Sequence, residues 1–180
     1  MGRSDRGGPG GRGGCGCGPW LLLSAVGLGV GLFVLLGIER QVTTEIVIEA
    51  PPSQVWPYVV DFEGYANWNP FVTRMYGEAV AGGDLVADLE IAGFEGQLTA
   101  EVDVAVPGQE LAWSGSILWV VLRDEHYVEL EPAGRGRTLL RHGSTLRGLV
   151  PAVLWGRLRP QLEAGYQKHN QRLKAKSEGR

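Results

Sequence analysis

Two cysteines, two methionines and three histidines are all that 180 residues contain of these types, and this scarcity excludes chemistry before any fold is considered. Both cysteines, Cys15 and Cys17, lie in the N-terminal leader, so residues 39–180 hold no disulfide and cysteine usage does not reveal the redox compartment. His126, His142 and His169 are too widely spaced, and too far from the cysteines, to form a metal-ligand pattern; no metal and no cofactor is expected. No Gly-Lys-Ser/Thr is present, so the glycine-rich residues 133–136 read as a hairpin turn rather than a phosphate loop. No serine or cysteine nucleophile motif is visible. The 17 basic and 20 acidic residues become 14 and 19 once Arg3, Arg6, Arg12 and Asp5 of the leader are set aside. The resulting net charge of about −5, with no basic stripe interleaved with aromatics, argues against nucleic acid as a partner.

Charge is also missing from one continuous run. Residues 20–38, WLLLSAVGLGVGLFVLLGI, contain none; as a helix they would span ~28 Å, close to the roughly 30 Å of a bilayer's hydrocarbon. A transmembrane helix is expected. The competing signal-peptide reading is weaker, because the run exceeds a usual signal core and Ile38-Glu39-Arg40 makes a poor cleavage site. Arg3, Arg6 and Arg12 outnumber Asp5 before the run and Arg40 alone follows it closely, which places the N-terminus in the cytoplasm and the folded domain on the outer side. Residues 1–19 form a Gly/Arg-rich leader expected to be disordered. Its two cysteines read more simply as spacers than as acylation sites.

Beyond the run, strand and turn patterns begin almost at once, so the domain, residues 42–178, is expected to lie within ~14 Å of the membrane surface. Val42, Thr44, Ile46 and Ile48 alternate with polar neighbours. Pro51 and Pro52 open a short helix carrying Val55, Trp56 and Val59, in which Pro57 predicts a kink or a later start. Strands follow over residues 71–78, 85–91, 94–106, 111–119, 122–131 and 138–146, separated by Gly- and Pro-rich turns. On the long strand the alternation puts Val102, Val104 and Val106 on one face. Residues 149–178 form a long helical stretch with Leu154, Leu158, Leu162, Tyr166 and Leu173 at helical spacing, broken or kinked near Pro151 and Pro160.

Several landmarks fall in a recognisable order: Ala50-Pro51-Pro52, Val55-Trp56, Asp61-Phe62, Trp68-Asn69-Pro70-Phe71, then Glu110-Leu111 with Trp113, Glu125-His126, Leu130-Glu131-Pro132, Thr138 with Leu140 and His142, Gly148, and Asn170 through Leu173-Lys174 to Glu178. This order resembles the START-like (SRPBCC) superfamily and, within it, the polyketide cyclase/dehydrase-type proteins. The resemblance implies an α+β helix-grip fold, a curved antiparallel sheet of six to seven strands around one long C-terminal helix, with a cavity between them. The family spans lipid carriers, hormone receptors, aromatase/cyclases and chaperone activators.

The expected function is therefore a membrane-anchored domain that binds a small hydrophobic ligand, of lipid, isoprenoid or polyketide-like kind, without reacting it. The alternative is an aromatase/cyclase-like enzyme, and a third reading is an interaction module with a vestigial cavity. His126 and His142 are the titratable groups on the expected cavity faces. They read first as core histidines satisfied by each other, by water or by Ser144, second as ligand-orienting groups, and third as a general acid/base. Trp68, Phe71, Phe94, Trp113, Trp119, His126, His142 and Ser144 are the candidate ligand contacts. Trp113 and Trp119 lead among them as inward residues of a central strand, while Trp68, with Tyr65 and Phe71, is placed in a loop at the cavity mouth. Arg157, Arg159, Lys168, Arg172, Lys174 and Lys176 read as the solvated face of the last helix.

Overall fold

The alternating segments pair into one seven-stranded antiparallel sheet in the computed structural model, which describes residues 18–180 except 92 and 119, with the side chains at 18–23, 25, 32, 33, 91 and 94 also outside the description. The elements are α1 (Gly18–Leu36), β1 (Arg40–Ile48), α2 (Pro52–Val59), a 3-10 turn (Glu63–Asn67), β2 (Val72–Gly77), β3 (Asp84–Ile91), β4 (Phe94–Val106), β5 (Glu110–Ile117), β6 (Leu122–Pro132), β7 (Thr138–Arg147) and α3 (Leu149–Ser177). The chain divides into residues 1–34 and 35–180. Among the described residues no helix is long and apolar enough to cross a membrane.

Strand order is β1-β7-β6-β5-β4-β3-β2, a meander whose first strand closes onto its last. That closure sets Val42 opposite Ser144 and Thr44 opposite His142, and the buried Thr138 hydroxyl donates to the Ala50 carbonyl at 2.7 Å. The fold is the α+β helix-grip expected, with seven strands and one long C-terminal helix.

Three local expectations are corrected. The inward pattern of β4 does not run through to Val106, because the register shifts between Val102 and Val104. Val102 opposes Trp113 while Ala105, not Val104, opposes Leu111; the extra residue turns Val106 out to 39% exposure. The second helix begins at Pro52 and passes through Pro57 rather than starting near Trp56. In eight residues the proline ring removes one internal hydrogen bond, and burial of Val55 and Val59 holds the turn.

The third correction concerns α3, which runs unbroken for 29 residues. Pro151 sits in the first turn, where its missing N–H has no helical partner anyway. The first free N–H groups, of Leu149 and Val150, instead donate to the carbonyls of Val120 and Val121 at 3.0 and 3.1 Å. Gly148 makes that junction possible: its φ is +116°, and a Cβ there would stand 2.7 Å from the Val121 oxygen.

Two clusters form the core. Ile48, Val55, Val59, Leu111, Val128, Leu140 and Leu173 belong to the larger, under the C-terminal half of α3; Val42, Leu146, Leu162 and Tyr166 belong to the smaller. The C-terminal end of α3 is tied down by Gln54, which donates to the Ser177 carbonyl at 2.7 Å, and by Glu178, which accepts from the Glu49 N–H at 2.7 Å. At the other end Val153 and Leu154 are exposed, 66% and 44%. The helix thus grips the sheet at one end and stands over open space at the other.

Candidate functional site

Neighbouring strands and one face of α3 bring the polar residues together. The β6–β7 register pairs His126 with Ser144 and Val128 with His142, and α3 contributes Tyr166, His169 and Asn170, three and four residues apart and therefore on one face. His126 Nδ1 lies 2.9 Å from Ser144 Oγ and its Nε2 lies 3.0 Å from His142 Nε2. Ser144 Oγ is 2.7 Å from the Tyr166 hydroxyl, and His142 Nδ1 is 2.7 Å from Asn170 Oδ1.

The direction of this chain follows from its far end. Thr44 Oγ1 donates to the His142 carbonyl and so accepts from Asn170 Nδ2, which leaves Asn170 Oδ1 as an acceptor. His142 must then carry its proton on Nδ1 and accept at Nε2. His126 must donate from Nε2 and accept at Nδ1, so the Ser144 proton points to His126 and the Tyr166 proton points to Ser144. Every donor runs one way, from Tyr166 to Asn170. His169 is fixed separately: Asn69 Oδ1 accepts from the N–H groups of Phe71 and Val72, so Asn69 Nδ2 donates to His169 Nδ1.

Three imidazoles this close must be neutral. Ring centroids are 4.8 Å apart for His126 and His142 and 4.5 Å for His142 and His169. Burial, followed by the neighbouring His142, lowers both His126 and His169 well below the usual histidine value. Burial brings His142 down to about 4 against the opposing effect of Asn170. Their mutual hydrogen bond and those to Ser144, Asn170 and Asn69 engage five of the six ring nitrogens; among the described residues no His, Cys, Asp or Glu group is arranged to hold a metal.

Two cavities meet beside the chain. One, of about 60 Å3, is bordered by Asn69, Phe71, Trp113 and all three histidines. The other, of about 190 Å3, is apolar: Ile117, Leu122 and Leu146 on the sheet face Val150, Leu154, Leu158 and Leu162 on α3. Leu89, Leu98, Asp124 and Tyr166 border both. Asp124 Oδ1 is covered from solvent and has no hydrogen-bond partner. Burial, with Ser144 acting against it and Glu125 adding to it, pushes the Asp124 carboxyl up to about 7. Burial also raises the Tyr166 phenol.

The candidates named from sequence end in different places. Trp113 stacks on His126 at 4.2 Å and borders the smaller cavity. Phe71 borders it too, its ring lying so close to α3 that a Cβ on Gly165 would stand 1.7 Å from it. His126 and His142 border the same cavity, and Ser144 is buried behind them. Trp119 and the Phe94 side chain lie outside the described residues. Tyr65 borders the smaller cavity and Trp68 does not, and both are buried in the core, 2% and 6% exposed, rather than standing in an open loop. The 3-10 turn folds them under α3, where the Tyr65 hydroxyl donates to the Val59 carbonyl at 2.6 Å and Trp68 packs 4.8 Å from His169. The solvated cationic face is corrected in part as well, since Arg172 donates to the Trp68 carbonyl, Lys174 to the Val47 carbonyl, and Lys176 lies over Tyr58 and Trp68.

Sequence reasoning missed Asp124, His169, Asn170 and the hydroxyl of Tyr166. Asp124 shares the alternation of His126 on β6, and that signal was sufficient to place it on the inner face. A family model described as polyketide cyclase/dehydrase and lipid transport matches residues 39–178, and no curated protein matches the chain. Among solved structures, a START superfamily protein from Mycobacterium smegmatis is 19% identical, with a TM-score of 0.64 over 77% of this chain and 97% of its own. The Zhui aromatase/cyclase from Streptomyces sp. R1128 is 18% identical, with 0.60 over 78% and 94%. Norcoclaurine synthase from Thalictrum flavum is 8% identical, with 0.61 over 79% and 96%. These likenesses carry the fold, while the match over residues 39–178 carries the family: the chain belongs to the polyketide cyclase/dehydrase and lipid transport family.

Proposed function

We propose that this chain binds a small hydrophobic molecule in the apolar cavity under the N-terminal half of α3 and is held at a membrane by residues 20–38. The single observation that carries the binding reading is that cavity, lined almost wholly by leucine, isoleucine and valine, with polar groups gathered at one end. Even taken together the two cavities stay below the roughly 300 Å3 from which ligand pockets commonly begin. The ligand is accordingly smaller than a full lipid, or α3 shifts to admit it. The anchor rests on the uncharged 19-residue run, and its orientation on the arginines before it.

Solvent extraction of the full chain, purified from membranes, is expected to release one apolar compound detectable by mass spectrometry. Recovering none, together with no uptake of 1-octanol by the same preparation, overturns the binding reading. In intact cells Cys15 and Cys17 are expected to resist a membrane-impermeant maleimide and to react after permeabilisation; labelling without permeabilisation overturns the orientation.

The enzymatic alternative, with His126 or His142 transferring a proton to a cyclising substrate, has less support. All four ring nitrogens of that pair are already engaged, so neither imidazole offers a nitrogen to a ligand. The member of the hydrogen-bond chain that borders the apolar cavity is Tyr166.

A further inference from the structure

We propose that Asp124 is the head-group acceptor of the cavity, receiving the hydrogen-bond-donating end of a small amphiphile, a primary alcohol or amine, whose apolar body lies under α3. This rests on the cavity being a binding site and adds what the ligand must carry. The carboxylate is oddly placed for any structural purpose. Across the sheet it opposes Gly115 on β5 and Leu146 on β7, neither of which has a polar side chain. Its Oδ1 is buried without a partner, although unsatisfied buried acceptors are strongly disfavoured in folded proteins.

Ser144 lies within hydrogen-bonding reach of the carboxyl, but neither it nor Tyr166 has a proton free for Oδ1. The direction of the hydrogen-bond chain commits the Ser144 proton to His126 and the Tyr166 proton to Ser144, so both oxygens have only lone pairs left to offer a neighbour. Protonated, Asp124 can donate to one of those lone pairs; ionised, it must take its donor from something in the cavity. The position suits a ligand: Asp124 and Tyr166 stand where the apolar space meets the polar one. A primary amine, carried as an ammonium with three protons at neutral pH, could donate to the carboxylate and to the free lone pair of Tyr166 together; an alcohol would satisfy Asp124 alone. A carboxylate head would set two anions side by side.

Ionisation of Asp124 sharpens the preference. The titratable and charged groups around it are Tyr166 and His169 from α3, Arg123, Glu125 and His126 from its own strand, and His142 and Arg147 from β7, while β5, Leu89 and Leu98 present none. His126, His142, His169 and Tyr166 all stay neutral between pH 6 and 8, and Glu125 is paired with Arg147, so the pH response over that range belongs to Asp124. As it ionises, it becomes a stronger acceptor.

The test is isothermal titration of the full chain, carried in amphipol so that no free detergent competes, with 1-octanol, octylamine, octanoate and methyl heptyl ether. At pH 8 octanol and octylamine are expected to bind at least tenfold more tightly than octanoate or the ether, with the octylamine preference shrinking at pH 6. In Asp124→Asn the octylamine-to-octanoate ratio is expected to fall at least tenfold. Equal affinity for all four heads, or an unchanged ratio in Asp124→Asn, overturns the head-group proposal and leaves the cavity reading standing. Absence of binding by all four overturns both. If Asp124→Asn does not fold, the head-group series and its pH dependence in the unaltered chain decide the matter.

Discussion

Lowering the pH from 7 to 5 is expected to remove about 3 kcal/mol of folding stability, and about 10 °C of Tm for a chain of this size. His126, His142 and His169 are held neutral in the fold, with protonation pushed far below the ordinary 6.5 by burial. Once unfolded, each takes up a proton near 6.5, so the unfolded chain binds more protons as the pH falls and gains on the fold. Each histidine contributes about 2 kcal/mol to that loss between pH 7 and 5.

Asp124 acts in the opposite sense. Its carboxyl holds a proton in the fold up to about 7 but releases it near 3.8 when unfolded, so lowering the pH through this window favours the fold and returns about 2 kcal/mol. Three histidines outweigh one carboxyl. Asp124→Asn removes the opposing contribution and is expected to raise the loss to about 5–6 kcal/mol. Urea unfolding at the two pH values checks both figures; a stability that does not change between pH 7 and 5 contradicts the neutral histidine cluster.

Replacing Leu98 with tryptophan is expected to abolish ligand binding, with at least a hundredfold loss of affinity for 1-octanol. Leu98 is 4% exposed and borders both cavities, so the indole has only that space to enter. Filling a void restores packing contacts that overpacking elsewhere would break, and Tm should move by no more than a few degrees. A variant that unfolds instead shows that the space around Leu98 is already filled, and one that binds normally shows that the ligand sits elsewhere.

Much of the fold was legible because burial in a half-buried sheet imposes a period of two. Val42 through Ile48, Leu85 through Leu89 and Leu140 through Leu146 all announce their inner faces this way. The bulge at Asp103 was not legible, since Val102, Val104 and Val106 continue the alternation past it; only the register against Trp113 and Leu111 reveals the extra residue. Pro57 and Pro160 are local obstacles that the helices absorb, because each removes a single N–H while packing on neighbouring elements holds the turn.

The site was legible in part, for a different reason. His126, His142 and Ser144 lie on strands whose alternation shows which way they face. His169 and Asn170 lie on the stripe that Leu162, Tyr166 and Leu173 mark on α3, which separates them from exposed Gln167 and Lys168, but a polar pair on an apolar stripe does not by itself show which strand residues it meets. Asp124 follows the same alternation as His126, yet a single carboxylate on a strand reads as solvent-facing. Its burial depends on α3 and Tyr166, which lie some forty residues onward.

The central claim, that the space under α3 is where a ligand binds, is tested most directly by methyl NMR of the full chain titrated with 1-octanol. The account predicts shift changes concentrated at Leu98, Leu122, Leu146, Leu158 and Leu162, with little change at Leu111 and Leu140 in the larger core cluster. Changes spread evenly over both groups, or confined to residues away from α3, would contradict it.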